Sequence, residues 1–307
     1  MKNAILYLST VLIWGSTWLA IEFQLGHATV YASVFYRFAI AAALMWLACI
    51  IFRVPTLLTI KDHAFVGLMA LFNFSLNYVL IYQSQEYLTS AMTCIVFSTM
   101  LLMNIINTRL FFGDHIDPKV YIGALFGLIG LVVLFWNELS WGGGEDSRVH
   151  SWLGLGFGLA AALTASLGNM VSVRNSRAGV SVFAANAWGM LYGTLALGLI
   201  IVVNGTGFSF STEPSYVGSL LYLAILGTVV AFATYYVLLN NMGPEKASYA
   251  IVLFPIVAVA LSSVFEDFVC TSNTFAGFIL VLAGNAIILA PKRKTKLAGS
   301  TELAEPS

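Results

Sequence analysis

Ten runs of mostly apolar residues, each about as long as a bilayer is thick, divide the sequence. They cover residues 4–22, 32–52, 64–84, 90–109, 119–136, 152–173, 181–203, 216–240, 247–265 and 273–290. Because a helix needs about 20 apolar residues to cross the hydrocarbon core, each run is long enough to span a membrane. The pattern therefore predicts an all-α integral membrane protein with ten transmembrane helices.

Polar and aromatic residues interrupt the first of these runs. Trp14, Gly15, Ser16 and Thr17 stand near its middle, where lipid offers polar groups no hydrogen-bond partner. Such residues on a spanning helix usually face protein or a water-filled cavity. The stretch predicts a substrate pathway, with Trp14 as an aromatic wall near the midplane.

Further polar and aromatic residues recur at helical spacing in four other runs. Together with Trp14, Ser16 and Thr17, the candidates for substrate binding are Asn73, Asn77, Tyr78, Phe97, Asn169, Thr228, Phe232 and Tyr235. Residues three, four or seven apart share one face of a helix. Amides and hydroxyls can replace the hydration of a zwitterionic or polyhydroxy solute, while aromatic rings cover its apolar part. Hydrogen bonding between helices is the alternative role for the same residues.

Arg37 is the basic residue that lies inside a predicted span, about one and a half turns from its end. An arginine at this depth has to snorkel outward or find a partner. Glu22 and Glu86, at the ends of the first and third spans, are the predicted partners in a gate or ion pair; direct binding of an anion is the alternative. Pro255 in the ninth span predicts a helix kink that frees the carbonyl of Ile251.

Composition limits what else the chain can contain. Of its 307 residues, 59% are hydrophobic and 9% are charged, against about 25% charged in soluble domains. Ten spans leave no room for a sizeable soluble domain. The formal net charge is zero, so nothing points to nucleic acid.

Motifs for catalysis and metal binding are missing from the sequence. It has no HExxH pair, no GxSxG elbow and no glycine-rich phosphate loop. Its three cysteines, Cys49, Cys94 and Cys270, are scattered without metal-ligand spacing. We therefore expect a protein that is not an enzyme and that needs no cofactor and no metal.

Lys and Arg residues predict the orientation. With the N-terminus in the cytoplasm, the inner segments carry twelve of the 14 and the outer loops carry only Arg148, leaving Arg37 within a span. Cytoplasmic loops of membrane proteins carry such an excess of Lys and Arg. The count predicts that both termini are cytoplasmic.

Matching residues on either side of a glycine-rich, acidic stretch indicate a duplication. Tyr78 recurs as Tyr236, Phe97 as Phe254 and Gly123 as Gly277, at offsets of 158, 157 and 154 residues. Because each copy has an odd number of spans, the second copy crosses the membrane in the opposite sense, as in many secondary transporters. The predicted units are a first repeat at 1–137, a periplasmic linker at 138–151, a second repeat at 152–291 and a cytoplasmic tail at 292–307.

Several motifs together resemble the EamA type of the drug/metabolite transporter superfamily. They are Trp14-Gly15-Ser16-Thr17, Tyr36-Arg37-Phe38-Ala39, Glu86 with Thr89-Ser90-Ala91, Pro255 and the glycine-bearing tenth span. The resemblance covers residues 3–290 and implies a ten-helix carrier of the bacterial inner membrane. It further implies export of amino acids or other small metabolites by alternating access, without ATP. The family's tryptophan in the sixth span is replaced by Ala165, and Trp188 stands at the seventh-span position of Arg37.

Several functional alternatives stay open at this point. A facilitative channel or an uptake carrier for another small solute is the alternative to export. The expected partners are a small-molecule substrate and the lipid bilayer, and coupling to protons through Glu22 or Glu86 is open. Gly123 and Gly127 in the fifth span permit close helix packing, either within the bundle or in a homodimer.

Overall fold

The computed structural model describes residues 2–113, 115–136, 145–242, 244–266 and 268–290. These residues form ten membrane-scale helices, eight of them long and two shorter. The helices are α1 Lys2–Glu22, α2 Val30–Ile51, α3 Ile60–Gln85, α4 Ser90–Phe112, α5 Pro118–Leu134, α6 Glu145–Arg177, α7 Val182–Asn204, α8 Pro214–Met242, α9 Pro244–Phe265 and α10 Ser272–Leu289.

The ten predicted spans match these helices in order and to within a few residues, so the predicted fold class is confirmed. The largest difference is α6, which begins at Glu145 inside the stretch predicted as a linker and continues to Arg177. Arg174 and Arg177 in its last turn complement the negative end of the helix dipole, which favours this extension. Residue 137 of the predicted first repeat, residues 138–144 of the predicted linker and the predicted tail at 292–307 lie outside the described residues.

Threonine side chains begin several of the helices. Thr29, Thr59, Thr89 and Thr271 each accept a hydrogen bond from the backbone N–H three residues on, at the start of α2, α3, α4 and α10. A capping hydroxyl satisfies one of the amide groups that a helix start leaves unpaired. These caps fix where the chain turns back into the membrane.

Contacts between the two halves follow the pattern of an inverted repeat. Helix α1 packs on α8 and α9, and its counterpart α6 packs on α3 and α4. Likewise α2 packs on α8 as α7 packs on α3, while α2 pairs with α7 and α5 with α10. These main contacts are exchanged when the first five helices are swapped with the second five. This exchange is what a two-fold relation between the repeats produces.

The pair α5 and α10 shows the same relation at single residues. A Cβ added at Gly123 would lie 2.6 Å from the Gly284 carbonyl oxygen, and one at Gly130 would lie 2.8 Å from that of Gly277. Gly123 is thus opposite the repeat counterpart of Gly130, and Gly130 opposite that of Gly123. Both pairs let the two backbones touch, so the predicted packing role of α5 within the bundle is seen.

Loops predicted to share a side of the membrane contact each other. At the predicted cytoplasmic end, Arg174 and Asp62 form a salt bridge of 2.9 Å. At the predicted periplasmic end, the Thr29 amide donates to the Ser209 hydroxyl at 2.9 Å. Each contact joins loops that the predicted number and order of spans place on the same side of the membrane. Which side is cytoplasmic stays a prediction.

Candidate functional site

Gly15 brings α1 close to α9 and so positions the aromatic residue beside it. A Cβ at Gly15 would lie 2.5 Å from the Cβ of Val257, so any larger residue would push the two helices apart. Trp14 is half-buried next to this contact. The close approach places the Trp14 indole at the junction of α1, α8 and α9.

Trp14 lies at the centre of a group of aromatic side chains. Its ring centroid is 5.5 Å from that of Phe232, 5.1 Å from Tyr235 and 5.4 Å from Phe254. The indole Nε1 donates to the Gly227 carbonyl at 3.2 Å. We call Trp14, Phe232, Tyr235 and Phe254 the aromatic cluster. Three predicted site residues thus meet here, and the rings can cover the apolar part of a solute.

Ser16 and Thr17 use their hydroxyls differently. Ser16 Oγ lies 2.7 Å from the Leu12 carbonyl oxygen and 2.6 Å from the Tyr222 hydroxyl. If Ser16 donates its single proton to Leu12, then Tyr222 donates to Ser16, which links α1 to α8. Thr17 donates to the Trp14 carbonyl at 2.6 Å on its own helix. Ser16 therefore joins two helices, whereas Thr17 bonds within its own helix.

Two π-helical turns lie in α3 and α8, which occupy equivalent places in the two repeats. They cover Leu71–Leu76 and Tyr222–Val230 and contain Asn73 and Thr228. Thr228 is fully buried and donates to the Leu223 carbonyl at 2.8 Å, five residues back. The turn around Gly227 also supplies the carbonyl that accepts from Trp14. Single π turns inside α-helices are frequent at functional sites.

A second group of polar side chains joins α6 to α3 and α4. Asn169 Nδ2 donates to Asn104 Oδ1 at 3.3 Å, and Asn107 Nδ2 donates to the Ser166 hydroxyl at 2.9 Å. Asn73 lies directly on Gly168, where an added Cβ would overlap the amide oxygen. We call Asn73, Asn104, Asn107 and Asn169 the amide cluster.

Asn77, Tyr78 and Phe97 lie apart from both clusters. Asn77 is 6% exposed, and its Oδ1 has no hydrogen-bond partner among the described residues. The Tyr78 ring stacks under the Arg37 guanidinium at 4.5 Å. Phe97 packs on Trp18 at 5.3 Å, one turn along α1 from the contact of Trp14 with Phe254.

The predicted ion pair of Arg37 with Glu22 or Glu86 is not formed. Arg37 is 2% exposed and lies over the rings of Phe38 and Tyr78, so it does not snorkel outward. Within the described part of the chain, neither carboxylate makes a salt bridge with it. Aromatic rings stabilise a buried guanidinium through the negative face of their π system. Sequence spacing could not reveal this, since Tyr78 comes from another helix.

The two carboxylates have different surroundings instead. Glu86 ends α3 and is exposed, although partial burial raises its pKa above the ordinary value of 4.5. Glu22 ends α1 near Glu266, whose charge repels it. Glu266 in turn accepts from the Ser90 amide at 2.9 Å and from the Ser90 hydroxyl, at the start of α4. Glu266 is a residue that the sequence did not single out.

Pro255 lies buried inside α9, which continues from Pro244 to Phe265. Its predecessor Phe254 belongs to the aromatic cluster. The predicted release of the Ile251 carbonyl would therefore occur one turn from the Trp14 indole.

Sequence reasoning missed Gly227 and Phe254 as neighbours of Trp14, and Tyr222 as the partner of Ser16. A signal existed for Phe254, which is the repeat counterpart of the predicted residue Phe97. Gly227 contributes only a backbone carbonyl, so no side-chain pattern could indicate it.

Comparison with known proteins agrees with this architecture. The model of the EamA-like transporter family matches residues 1–136 and again 152–290. The chain is similar to an uncharacterized transporter of Archaeoglobus fulgidus, at 22% identity over 94% of this chain and 99% of that protein. It is also 26% identical to the inner membrane transporter YedA of Escherichia coli K12, over 82% of this chain and 79% of YedA.

A crystal structure shares the fold. It superposes with a TM-score of 0.64 at 18% identity and covers 94% of this chain and 96% of that one. Two matches to one family model, one in each half, correspond to the two groups of five helices described above.

Proposed function

Since the chain belongs to the EamA-like transporter family, we propose that it is a secondary transporter that exports small metabolites, amino acids first, across the bacterial inner membrane. It works by alternating access, with no ATP and no catalytic step. The bilayer and a small-molecule substrate are its partners. The name of the Escherichia coli relative, an inner membrane transporter, supports the location.

One observation carries the proposal. The main helix contacts are exchanged between the inverted repeats, and a group of aromatic or amide side chains lies at each of two corresponding junctions of three helices. The aromatic cluster lies between α1, α8 and α9, and the amide cluster lies between α6, α3 and α4. Rocking one repeat against the other would open such a site to either side in turn.

The chemistry of the two clusters supports small zwitterionic or polar solutes. Indole and phenyl rings cover apolar groups, and the carboxamides of Asn73, Asn104 and Asn169 can donate and accept hydrogen bonds. A channel usually shows rings of charge or of carbonyl groups along its pore. Here one cluster consists of aromatic rings and the other of carboxamides, and neither is a ring of charges or carbonyl groups.

Counterflow in proteoliposomes tests the carrier mechanism. Vesicles containing the purified protein are loaded with an unlabelled amino acid, and uptake of the same labelled amino acid is followed. A carrier gives a transient, saturable accumulation above equilibrium. Flux that does not saturate and exceeds carrier turnover would instead indicate a channel.

Two further measurements define substrate and coupling. Metabolites in the medium of overexpressing and deletion cells identify the exported solute and the direction of transport. An imposed pH gradient then tests coupling through Glu22 or Glu86, which end α1 and α3. Identical counterflow with and without the gradient would remove proton coupling.

A further inference from the structure

Buried polar atoms without partners gather near one end of the bundle. Among the described side chains, eight buried nitrogen or oxygen atoms have no hydrogen-bond partner, and five of them belong to Glu22, Gln24, Arg37 and Gln85. Buried polar groups in folded proteins are nearly always paired. Five exceptions in one region therefore indicate a place that another molecule completes.

Short contacts place Arg37, Gln24 and Gln85 around the ends of α1 and α3, and Glu22 is the last residue of α1. The Arg37 guanidinium interacts with the Tyr82 hydroxyl, and Tyr82 donates to Gln24 Oε1 at 2.7 Å. Gln85, one turn beyond Tyr82 on α3, donates from Nε2 to the Trp18 carbonyl at 3.1 Å. Trp18 is one turn before Glu22 on α1. The four residues thus surround the predicted periplasmic ends of α1 and α3.

Arg37 is the charge that most needs a partner. It is 2% exposed, and its Nε and Nη1 donate to no described residue. The rings of Tyr78 and Phe38, at 4.5 and 5.7 Å, attract the cation but accept no hydrogen bond in its plane. A buried charge without a counter-charge is strongly unfavourable, so the arrangement favours an anion.

Donors and acceptors are divided between the two sides of this region. The Tyr82 hydroxyl donates to Gln24 Oε1 at 2.7 Å, which uses the acceptor of this amide, while its donor Nε2 stays unpaired. Arg37 and Gln24 therefore offer only donors. The unpaired atoms of Glu22 and Gln85, Oε2 and Oε1, are both acceptors. A carboxylate only accepts and an ammonium group only donates, so a zwitterion satisfies both sides.

We propose that Arg37 and Gln24 bind the carboxylate, and Glu22 and Gln85 the ammonium group, of an α-amino acid at the predicted periplasmic end of the pathway. This proposal rests on the proposed transport function and names the groups of the solute that the protein recognises. Because Arg37 is buried, the site is closed in this structure. The amino acid enters or leaves when the ends of α1, α2 and α3 separate.

Binding to the purified full-length protein in detergent tests the assignment. Each proteinogenic L-amino acid is added in turn at millimolar concentration, and the thermal unfolding midpoint, Tm, is measured. An amino acid that raises Tm is then compared with its carboxamide and with the amine that lacks the carboxyl group. We expect only the zwitterion to stabilise the protein. No rise with any amino acid would overturn the proposal and leave the region filled by water.

Variants assign the two ends of the ligand. Removing one partner of a buried charge pair weakens binding by about thirtyfold or more, so Arg37→Gln should have this effect on the amino acid. Arg37→Lys should restore part of the loss because it keeps the charge. Arg53→Gln, an exposed residue just beyond the other end of α2, is the matched control. Wild-type affinity in Arg37→Gln would contradict the assignment.

Two further variants remain informative if Arg37→Gln does not fold. Gln24→Leu removes one carboxylate donor and should weaken binding several-fold. Glu22→Gln removes the negative charge that faces the ammonium group and should weaken binding of the amino acid several-fold. Unchanged binding in both variants would also overturn the proposal.

Counterflow separates this proposal from the transport function. Saturable counterflow of a solute without a carboxylate, unchanged in Gln24→Leu and Arg37→Gln, would refute the site and leave the carrier intact. Failure of every solute to show saturable counterflow would refute the carrier itself.

Discussion

The aromatic cluster and the amide cluster occupy corresponding places in the two inverted repeats but carry different chemistry. At the junction of α1 with α8 and α9, Trp14 presses against three rings. At the junction of α6 with α3 and α4, Ala165 stands at the position of Trp14, and hydrogen-bonded asparagines fill the space. The main helix contacts correspond in the two repeats, whereas the side chains at the two junctions differ.

The two junctions share close helix packing but differ in their side chains. Glycines hold both junctions together: Gly15 meets Val257 in one, and Gly168 meets Asn73 in the other. Close packing of this kind lets the helix backbones approach each other. The side chains beside it differ between the junctions, with rings at one and carboxamides at the other.

The largest expected effect comes from filling the amide junction. Gly168→Leu places a side chain where Asn73 already lies, so α6 and α3 must separate. Overpacking of this kind costs about 1 to 3 kcal/mol or more. We expect most of the folded protein and nearly all transport to be lost, measured by size-exclusion chromatography in detergent and by counterflow.

A control and a rescue accompany this variant. Gly156→Leu changes the same helix at an exposed position with no atom within 4 Å, and it should behave like the wild type. Asn73→Ala combined with Gly168→Leu should recover part of the folded yield. A normal yield of Gly168→Leu alone would show that the two helices are not in contact.

Removing the indole tests the aromatic junction. Trp14→Ala deletes three ring contacts, each worth about 0.5 to 1.5 kcal/mol, and the hydrogen bond to Gly227. We expect transport to fall roughly tenfold, which corresponds to about 1.4 kcal/mol, while membrane insertion stays unchanged. Initial rates of counterflow, normalised to folded protein, measure this effect.

The matched control is Trp136→Ala, which removes an exposed indole just beyond α5. It should leave transport at the wild-type rate. Trp14→Phe keeps most of the ring contacts and should retain more activity than Trp14→Ala. Equal losses in Trp14→Ala and Trp136→Ala would mean that the aromatic cluster has no special role.

A smaller effect is expected from a single carboxamide. Asn169→Ala loses the 3.3 Å hydrogen bond to Asn104, and such bonds between membrane helices average about 0.6 kcal/mol. We expect Tm to fall slightly and transport to change two- to threefold. Asn204→Ala, at the exposed end of α7, is the control.

A double-mutant cycle distinguishes the two roles of Asn169. If it only joins helices, Asn104→Ala and Asn169→Ala are coupled in Tm, and KM stays constant. If it contacts the solute, KM rises in Asn169→Ala even when Asn104 is already changed. If Tm shows no coupling and KM does not change, Asn169 has neither role and the amide cluster is not supported.

Sequence patterns predicted the fold well because the bilayer imposes it. Span length, the distribution of Lys and Arg, and the glycine pairs each follow from one-dimensional rules, and all ten helices were located. Trp14, Phe232 and Tyr235 were each predicted as substrate-binding residues; the structure brings their side chains together, and their role stays a prediction. The domain boundaries and the orientation stay predictions.

Other parts of the candidate site depend on how helices meet, which spacing does not encode. The carbonyl of Gly227 faces Trp14 through a π turn, and Arg37 lies over a ring from α3 rather than beside a carboxylate. Each of these two contacts joins groups from different helices, and packing between the helices sets how each helix is rotated about its own axis. Glu266 was missed for the same reason, since its partner Ser90 starts α4 in the other repeat.

The smallest expected effect concerns the exposed carboxylate Glu86, which contrasts with the partly buried Glu22. Because burial raises the pKa of Glu86 above 4.5, the folded protein binds this proton more tightly than the unfolded chain does. The resulting stabilisation is present below the unfolded-state pKa and is lost as the pH rises through the higher, folded-state pKa.

Glu86→Gln, which is always neutral, should therefore match the wild type in acid and exceed its Tm slightly near neutral pH. Solvent screening keeps the difference small. Tm measured across this range for both proteins checks it, and a difference that does not vary with pH would show that Glu86 affects stability by packing rather than by charge.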